Sequence, residues 1–297
     1  RWRPSDLMAS YLSKFRKSKK AVAVETPREV VLELNGEVLT AALQALASSA
    51  EEQGGIERFV EALKFKSSVF QEAFADGVDS LTPERFLRLC MFMPTVRRRI
   101  GEYVEDDKFP ELKKAVQGLF SDIEINVRLA SFQSKFPEGR KHRWVRDLAS
   151  EILHNAQPEL YPLMNRWVWD QKANSGVIRE IWCGDNVDNI TLDVLDDYEV
   201  FLKLREELST YLTDNGVFSD VPQYVDLLCA QIYAGYIATQ GGSFLKADFA
   251  AKQDPFTFTR RLLGLDGIKA KSDRIIAPEI IEGDVSIESI LRLNGSD

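Results

Sequence analysis

The sequence predicts an all-α protein: a single irregular multi-helix bundle of about nine to eleven helices, with a basic N-terminal arm and an irregular, acidic C-terminal tail. Three observations predict it. Thr-Pro helix starts stand at Thr26-Pro27-Arg28-Glu29 and Thr82-Pro83-Glu84. There Thr caps the helix, and Pro occupies the first turn, where its missing N–H costs nothing. Apolar residues recur at three- and four-residue spacing through most of the chain, the period of a helix with one buried face. Alternation of apolar and polar residues, the mark of a half-buried strand, is confined to Ala21–Val24 and Val285–Ile290.

The first helix is expected from about 27 to 53, bent at Gly36, with Val31, Leu34, Val38, Ala41 and Ala45 on one face. A rival reading makes Val30–Leu34 a strand that enters an Asn35-Gly36 hairpin turn. Leu39-Thr40-Ala41-Ala42-Leu43 beyond it does not alternate and favours helix. A second helix, about 56–75, carries Ile56, Phe59, Val60, Leu63, Phe70 and Phe74. A third starts at Pro83 and meets Pro94, and a fourth continues to about 105. Phe109-Pro110-Glu111 opens a long helix to about 135, with Leu112, Val116, Leu119, Ile123 and Val127 on its apolar side. Further helices are expected at about 140–155, 158–171, 175–182, 192–214, 221–240 and 255–263, with Gly241-Gly242 as a stop.

These elements divide the chain into a basic arm (1–25), a helical body (26–264) and a tail (265–297). A soft joint is expected at Phe136-Pro137-Glu138-Gly139. The 297 residues are 44% hydrophobic, a globular rather than a disordered composition. No apolar run is long enough to span a bilayer, so the expectation is a soluble, cytoplasmic protein. Arg1-Trp2-Arg3-Pro4 carries no signal segment, and a start at Arg leaves room for residues upstream. Cys90, Cys183 and Cys229 are scattered among apolar residues and read as buried free thiols of a reducing compartment.

The net charge of −8 argues against a default nucleic-acid binder, but it hides an asymmetry. Residues 1–28 hold eight Lys or Arg against two acids, centred on Lys14, Arg16, Lys17, Lys19 and Lys20. A second patch gathers Arg140, Lys141, Arg143 and Arg146 after Lys135, and Arg97-Arg98-Arg99 makes a third. From Asp185 to Asp226 there are eleven acids against Lys203 and Arg205. A basic half facing an acidic half suits self-association, or contact with another protein, more simply than an external polyanion. The basic residues remain the candidates for nucleic-acid contact, with Trp144 either stacking or sitting in the core.

The most unusual segment is Tyr161–Asp170 with Gly176–Trp182, where Trp167, Trp169 and Trp182 stand beside Arg166, Asp170, Arg179 and Glu180. Large aromatics with charged neighbours make either a core corner with internal Arg–Asp pairs, a partner interface, or a ligand pocket. Glu151-Ile152-Leu153-His154 has the Glu-x-x-His spacing of helical di-metal sites, but no second copy exists and only Glu124 offers itself as a further ligand. Phosphate-cradling glycine motifs and Gly-x-Ser-x-Gly are absent, and no cofactor or metal is expected. The functional expectation is a non-enzymatic assembly, scaffold or regulatory protein, a homo-oligomer or complex subunit. The alternatives are a nucleic-acid-associated protein, and an enzyme or ligand-binding protein with a Trp/Arg-lined pocket over 161–182.

Overall fold

The computed structural model describes residues 30–105, 107–184, 187–240, 256–266, 269–271 and 274–276. Two compact units are distinguished, Arg1–Val31 and Leu32–Asp297, and the helical bundle belongs to the second. The described residues of that unit contain ten α-helices: α1 (Gly36–Glu51), α2 (Glu57–Phe74), α3 (Pro83–Met91), α4 (Phe109–Leu119), α5 (Ile125–Gln133), α6 (Trp144–Ala156), α7 (Val177–Glu180), α8 (Tyr198–Asp214), α9 (Val221–Gln240) and α10 (Phe256–Leu262). No described helix is long and apolar enough to cross a membrane.

Two helices organise the bundle. α6 packs against α2, α4 and α5, and α9 packs against α1, α2, α7, α8 and α10. α2 touches both. The core side chains of α6 (Leu148, Ile152, Leu153) and of α9 (Leu227, Leu228, Ala230) are wholly buried. Each buried leucine or isoleucine contributes roughly 1.5–3 kcal/mol of transfer free energy.

Local chemistry fixes most boundaries. The hydroxyl of Thr82 accepts from Arg85 N at 3.3 Å, with Pro83 behind it, and α3 ends at Phe92 before Pro94. The Asp197 carboxylate accepts from Val200 N at 3.2 Å and opens α8. The expected first helix is shorter than its pattern. Asn35 Oδ1 accepts from Glu37 N and Val38 N at 3.0 and 3.2 Å, so Asn35-Gly36 is a helix start rather than a bend or a hairpin. Leu34 just before it bridges Trp182.

The long helix expected over 109–135 is two helices. The Glu124 carboxylate captures Asn126 N and Val127 N at 2.8 and 3.0 Å. Arg128 Nη1 takes the Leu119 carbonyl at 2.6 Å, closing α4. The fourth helix expected after Pro94 is a run of turns, with one 3₁₀ turn at Gly101–Tyr103. Its backbone bonds mix three- and four-residue closures, such as Val96 N to Met93 O and Ile100 N to Val96 O. That mixture still buries Val96, Ile100 and Val104. The helix expected near 140 begins with a 3₁₀ turn at Arg140–His142 before α6. The expected 175–182 helix is the single turn α7, and α8 begins at Tyr198 rather than near 192.

The expected joint at 136–139 is tied down on one side. Phe136 is buried among Tyr103, Phe132 and Trp144, with ring centroids 5.2–5.8 Å away. At the other end of the body, Leu265 is buried and Arg97 grips Asp266 through two bonds of 3.0 and 2.6 Å. Gly264, at φ 72°, lies so close to Phe92 that a Cβ there would sit 1.8 Å from its carbonyl oxygen. Within the tail, Lys269–Lys271 (β1) pairs antiparallel with Arg274–Ile276 (β2). The β-branched Ile275-Ile276 suits such pairing. The Thr26-Pro27 start, Ala21–Val24, Gly241-Gly242 and Val285–Ile290 lie outside the described residues.

Candidate functional site

α6 carries five polar side chains on a buried face: Asp147, Ser150, Glu151, His154 and Asn155, none more than 8% exposed. Their spacing (i, i+3, i+4, i+7, i+8) places them in one stripe along the helix. Buried polar groups are costly unless each is answered, and here each is. Asp147 accepts from Arg166 N and Arg166 Nη2, both at 2.9 Å. Ser150 Oγ accepts from Met164 N at 2.7 Å. Glu151 receives Lys66 Nζ of α2 at 2.8 Å, Asn165 Nδ2 at 2.8 Å and Asn155 Nδ2 at 3.0 Å. Lys66 also donates to the Leu263 carbonyl at 2.9 Å, and so ties α2, α6 and the chain after α10 together.

His154 closes the stripe. Its Nδ1 lies 2.9 Å from the Tyr161 carbonyl and its Nε2 2.9 Å from Asp226 Oδ2 on α9. A carbonyl and a carboxylate only accept, so the ring serves both by carrying two N–H groups. Burial opposes that charge, but the Asp226 carboxylate, its hydrogen bond and the Tyr161 carbonyl outweigh it and raise the pKa.

The same bonds explain why 158–171 is not the expected helix. Its polar groups (Tyr161 O, Met164 N, the Asn165 side chain and Arg166 N) bind α6 side chains instead of one another. Proline at 158 and 162 adds to the effect.

The Trp-rich segment continues this path. Trp169 is fully buried, and its indole N–H donates to Val194 O at 3.1 Å. Trp167 is buried against Tyr233 of α9, with centroids 6.0 Å apart, and its Nε1 meets no acceptor. Asp170 accepts from Ala173 N at 3.0 Å and pairs with Arg143. Arg179 donates to the carbonyls of Ile190 and Val187 at 3.1 and 2.7 Å, and Glu180 is half-buried beside it. Half-buried Trp182 bridges Leu34. Gly176, at φ 128°, lets the two halves cross, since a Cβ there would lie 2.7 Å from Val168 O.

The basic patch over 140–146 divides. Arg143 turns to Asp170, and Arg146 turns to Asp196 and donates to the Trp169 carbonyl at 3.1 Å. Arg140 and Lys141 are exposed, and Arg99 Nη1 reaches the Lys141 carbonyl at 3.4 Å, bringing two basic runs together. Trp144 belongs to the core. Lys14, Arg16, Lys17, Lys19 and Lys20 lie outside the described residues. Cys90 and Cys229 are buried free thiols, raised by burial well above the ordinary thiol range. Cys183, expected to be buried, is exposed, because it follows the one-turn α7 into Gly184.

Glu151 and His154 share a face as their spacing predicts, yet they point to different partners, and Glu124 caps α5. Among the described residues no group of three or more His, Cys, Asp or Glu is placed to hold a metal.

One further feature escaped the sequence pattern. At the start of α5, Ile123 and Val127 are 56% and 53% exposed, and Leu160 in the irregular segment after α6 is 55% exposed. Asn126 joins this corner to α8 by accepting from Tyr198 N at 2.9 Å and donating to Glu199 at 2.8 Å. Flanking that face, a groove of about 500 Å³ runs between α5 and α4, lined by Tyr103, Phe132 and Phe136 and by Lys108, Lys114 and Lys135. No family model matches this chain, and neither a curated protein nor a solved structure is significantly similar to it.

Proposed function

We infer that this chain is a non-enzymatic interaction protein whose contact surface is the outward face of α5. The observation that carries this reading is the exposure of Ile123 and Val127, four residues apart at the start of α5, where apolar surface is left in water unless a partner covers it. The stripe on α6 supports it from the other side. Asp147, Glu151, His154 and Lys66 hold the fold together through bonds to the 161–166 segment, α2 and α9. The residues of the Trp-rich segment act in the same architecture: Trp169 binds Val194, and Arg166 binds Asp147.

The test is a photo-reactive residue in place of Val127, irradiated in cells that make the protein naturally, with the same residue at exposed Gln44 of α1 as control. The expected result is a discrete protein adduct from position 127 and none from 44. Equal labelling at both positions, or none at 127, overturns the reading.

A second reading has an observation of its own. The contact of Arg99 with Lys141 merges two basic runs into one exposed patch, the kind of surface that neutralises phosphates. It requires binding of single- or double-stranded nucleic acid that weakens steeply with salt. Affinity that ignores salt rules it out.

A further inference from the structure

We propose that the occupant of the α5 face is a second copy of this chain, with the two α5 helices antiparallel across a two-fold axis; this rests on the interaction reading and names its partner. α5 is nine residues long, about 14 Å at the rise of an α-helix. Its two ends differ in charge. Over 121–127 the sequence places Asp122 and Glu124 with no base, and Glu199 joins them through Asn126. Over 134–141 it places Lys135, Arg140 and Lys141 against Glu138 alone. Asp122, Glu124, Glu199, Lys135, Arg140 and Lys141 are all exposed.

Such a face is complementary to itself. A two-fold axis lying in the interface and crossing the middle of α5 turns the helix end for end, so the acidic end of one copy meets the basic end of the other. Asp122 stands seven residues before Leu129, at the middle of α5, and Lys135 six residues after it, so the operation sets the acidic entry of one copy against the basic exit of the other. It also sets the two helix dipoles head to tail. Between the charged ends Val127, Ala130, Ser131 and Ser134, at spacings of three and four residues, are exposed along one side of the helix. These are small enough for two helices to approach closely, with Ile123 and Val127 supplying apolar contact. An external acidic or basic partner would satisfy one end of α5 and oppose the other. A second copy satisfies both.

The experiment is sedimentation velocity on the full chain and on Asp122→Lys, Lys135→Glu and the double variant. Reversible dimers are expected for the wild type, with each single reversal weakening association roughly tenfold or more and the double variant recovering it. Both positions are exposed and hold no helix cap, and unchanged unfolding curves show that folding is unaffected. A second variant removes dependence on charge. Ala130→Cys, with Cys183→Ser to remove the exposed native thiol, should form an intermolecular disulfide under mild oxidation, whereas Gln44→Cys should not. A wild type that stays monomeric at about 200 µM, far above the range of specific association, overturns the proposal. So does a dimer indifferent to the reversals, or an Ala130→Cys chain that does not cross-link. A Val127 adduct containing a different protein also overturns it while leaving the interaction reading intact.

Discussion

His154 of α6 and Asp226 of α9 meet at 2.9 Å, both buried, and join the two helices around which the bundle is organised. The other ring nitrogen of His154 holds the Tyr161 carbonyl, so one imidazole fixes α6, α9 and the irregular 158–171 segment together.

The stability of the protein should therefore depend on pH in a defined direction. The folded pKa of His154 is raised above its ordinary 6.5. Its contribution is then fully present below about 6.5 and is lost as pH rises through the folded pKa. Urea unfolding at pH values from about 5 to 9 should show wild-type stability declining in the upper part of that range. Asp226→Asn should cost about 3–5 kcal/mol at the low end and flatten the decline.

Lys66 and Glu151 form a pair 3% and 1% exposed at 2.8 Å. Lys66→Met leaves Glu151 buried with only amide donors, and should cost about 3–5 kcal/mol in chemical denaturation. Replacing both, as Lys66→Met with Glu151→Gln, should recover part of that loss. A double-mutant cycle with no coupling would show that the two groups act separately.

Gly264 should be intolerant of any side chain. Its positive φ and the 1.8 Å approach of a Cβ to Phe92 O leave only backbone movement as relief. Gly264→Ala should destabilise by roughly 3 kcal/mol or more, read as a fall in unfolding midpoint. The exposed Gly77 also has positive φ, 82°, but no atom lies within 4 Å of its Cβ position. Gly77→Ala should cost only about 1 kcal/mol.

Much of the fold was legible because its signals are local. Thr82-Pro83 marks α3, and α2 and α9 end within two residues of the expected positions. What was not legible depends on side chains that take backbone groups at long range. Glu124 and Arg128 break one apolar period into α4 and α5, and that break carries Ile123 and Val127 out to solvent. Ser150, Asp147 and His154 unwind 158–171 by binding its backbone. The stripe on α6 left a trace in the polar spacing of 147, 151 and 154. Glu151 and His154 alone resemble a metal pattern, and only Lys66 and Asp226, distant in sequence, reveal what each one binds.

The apolar residues on α5 should matter to association and not to folding. Val127→Ser removes a side chain that is 53% exposed, so the isolated chain should change in stability by no more than about 0.5 kcal/mol. Phe132→Ser on the inner side of the same helix, 2% exposed, should cost about 3–5 kcal/mol.

The most direct test of the α5 face is native mass spectrometry of the wild type and Val127→Ser, each purified from its natural cellular background. The wild type is expected to carry bound protein, a second copy of itself if the two-fold pairing of α5 holds, and Val127→Ser to appear as the free chain. Identical spectra for the two, whether bound or free, would contradict the account.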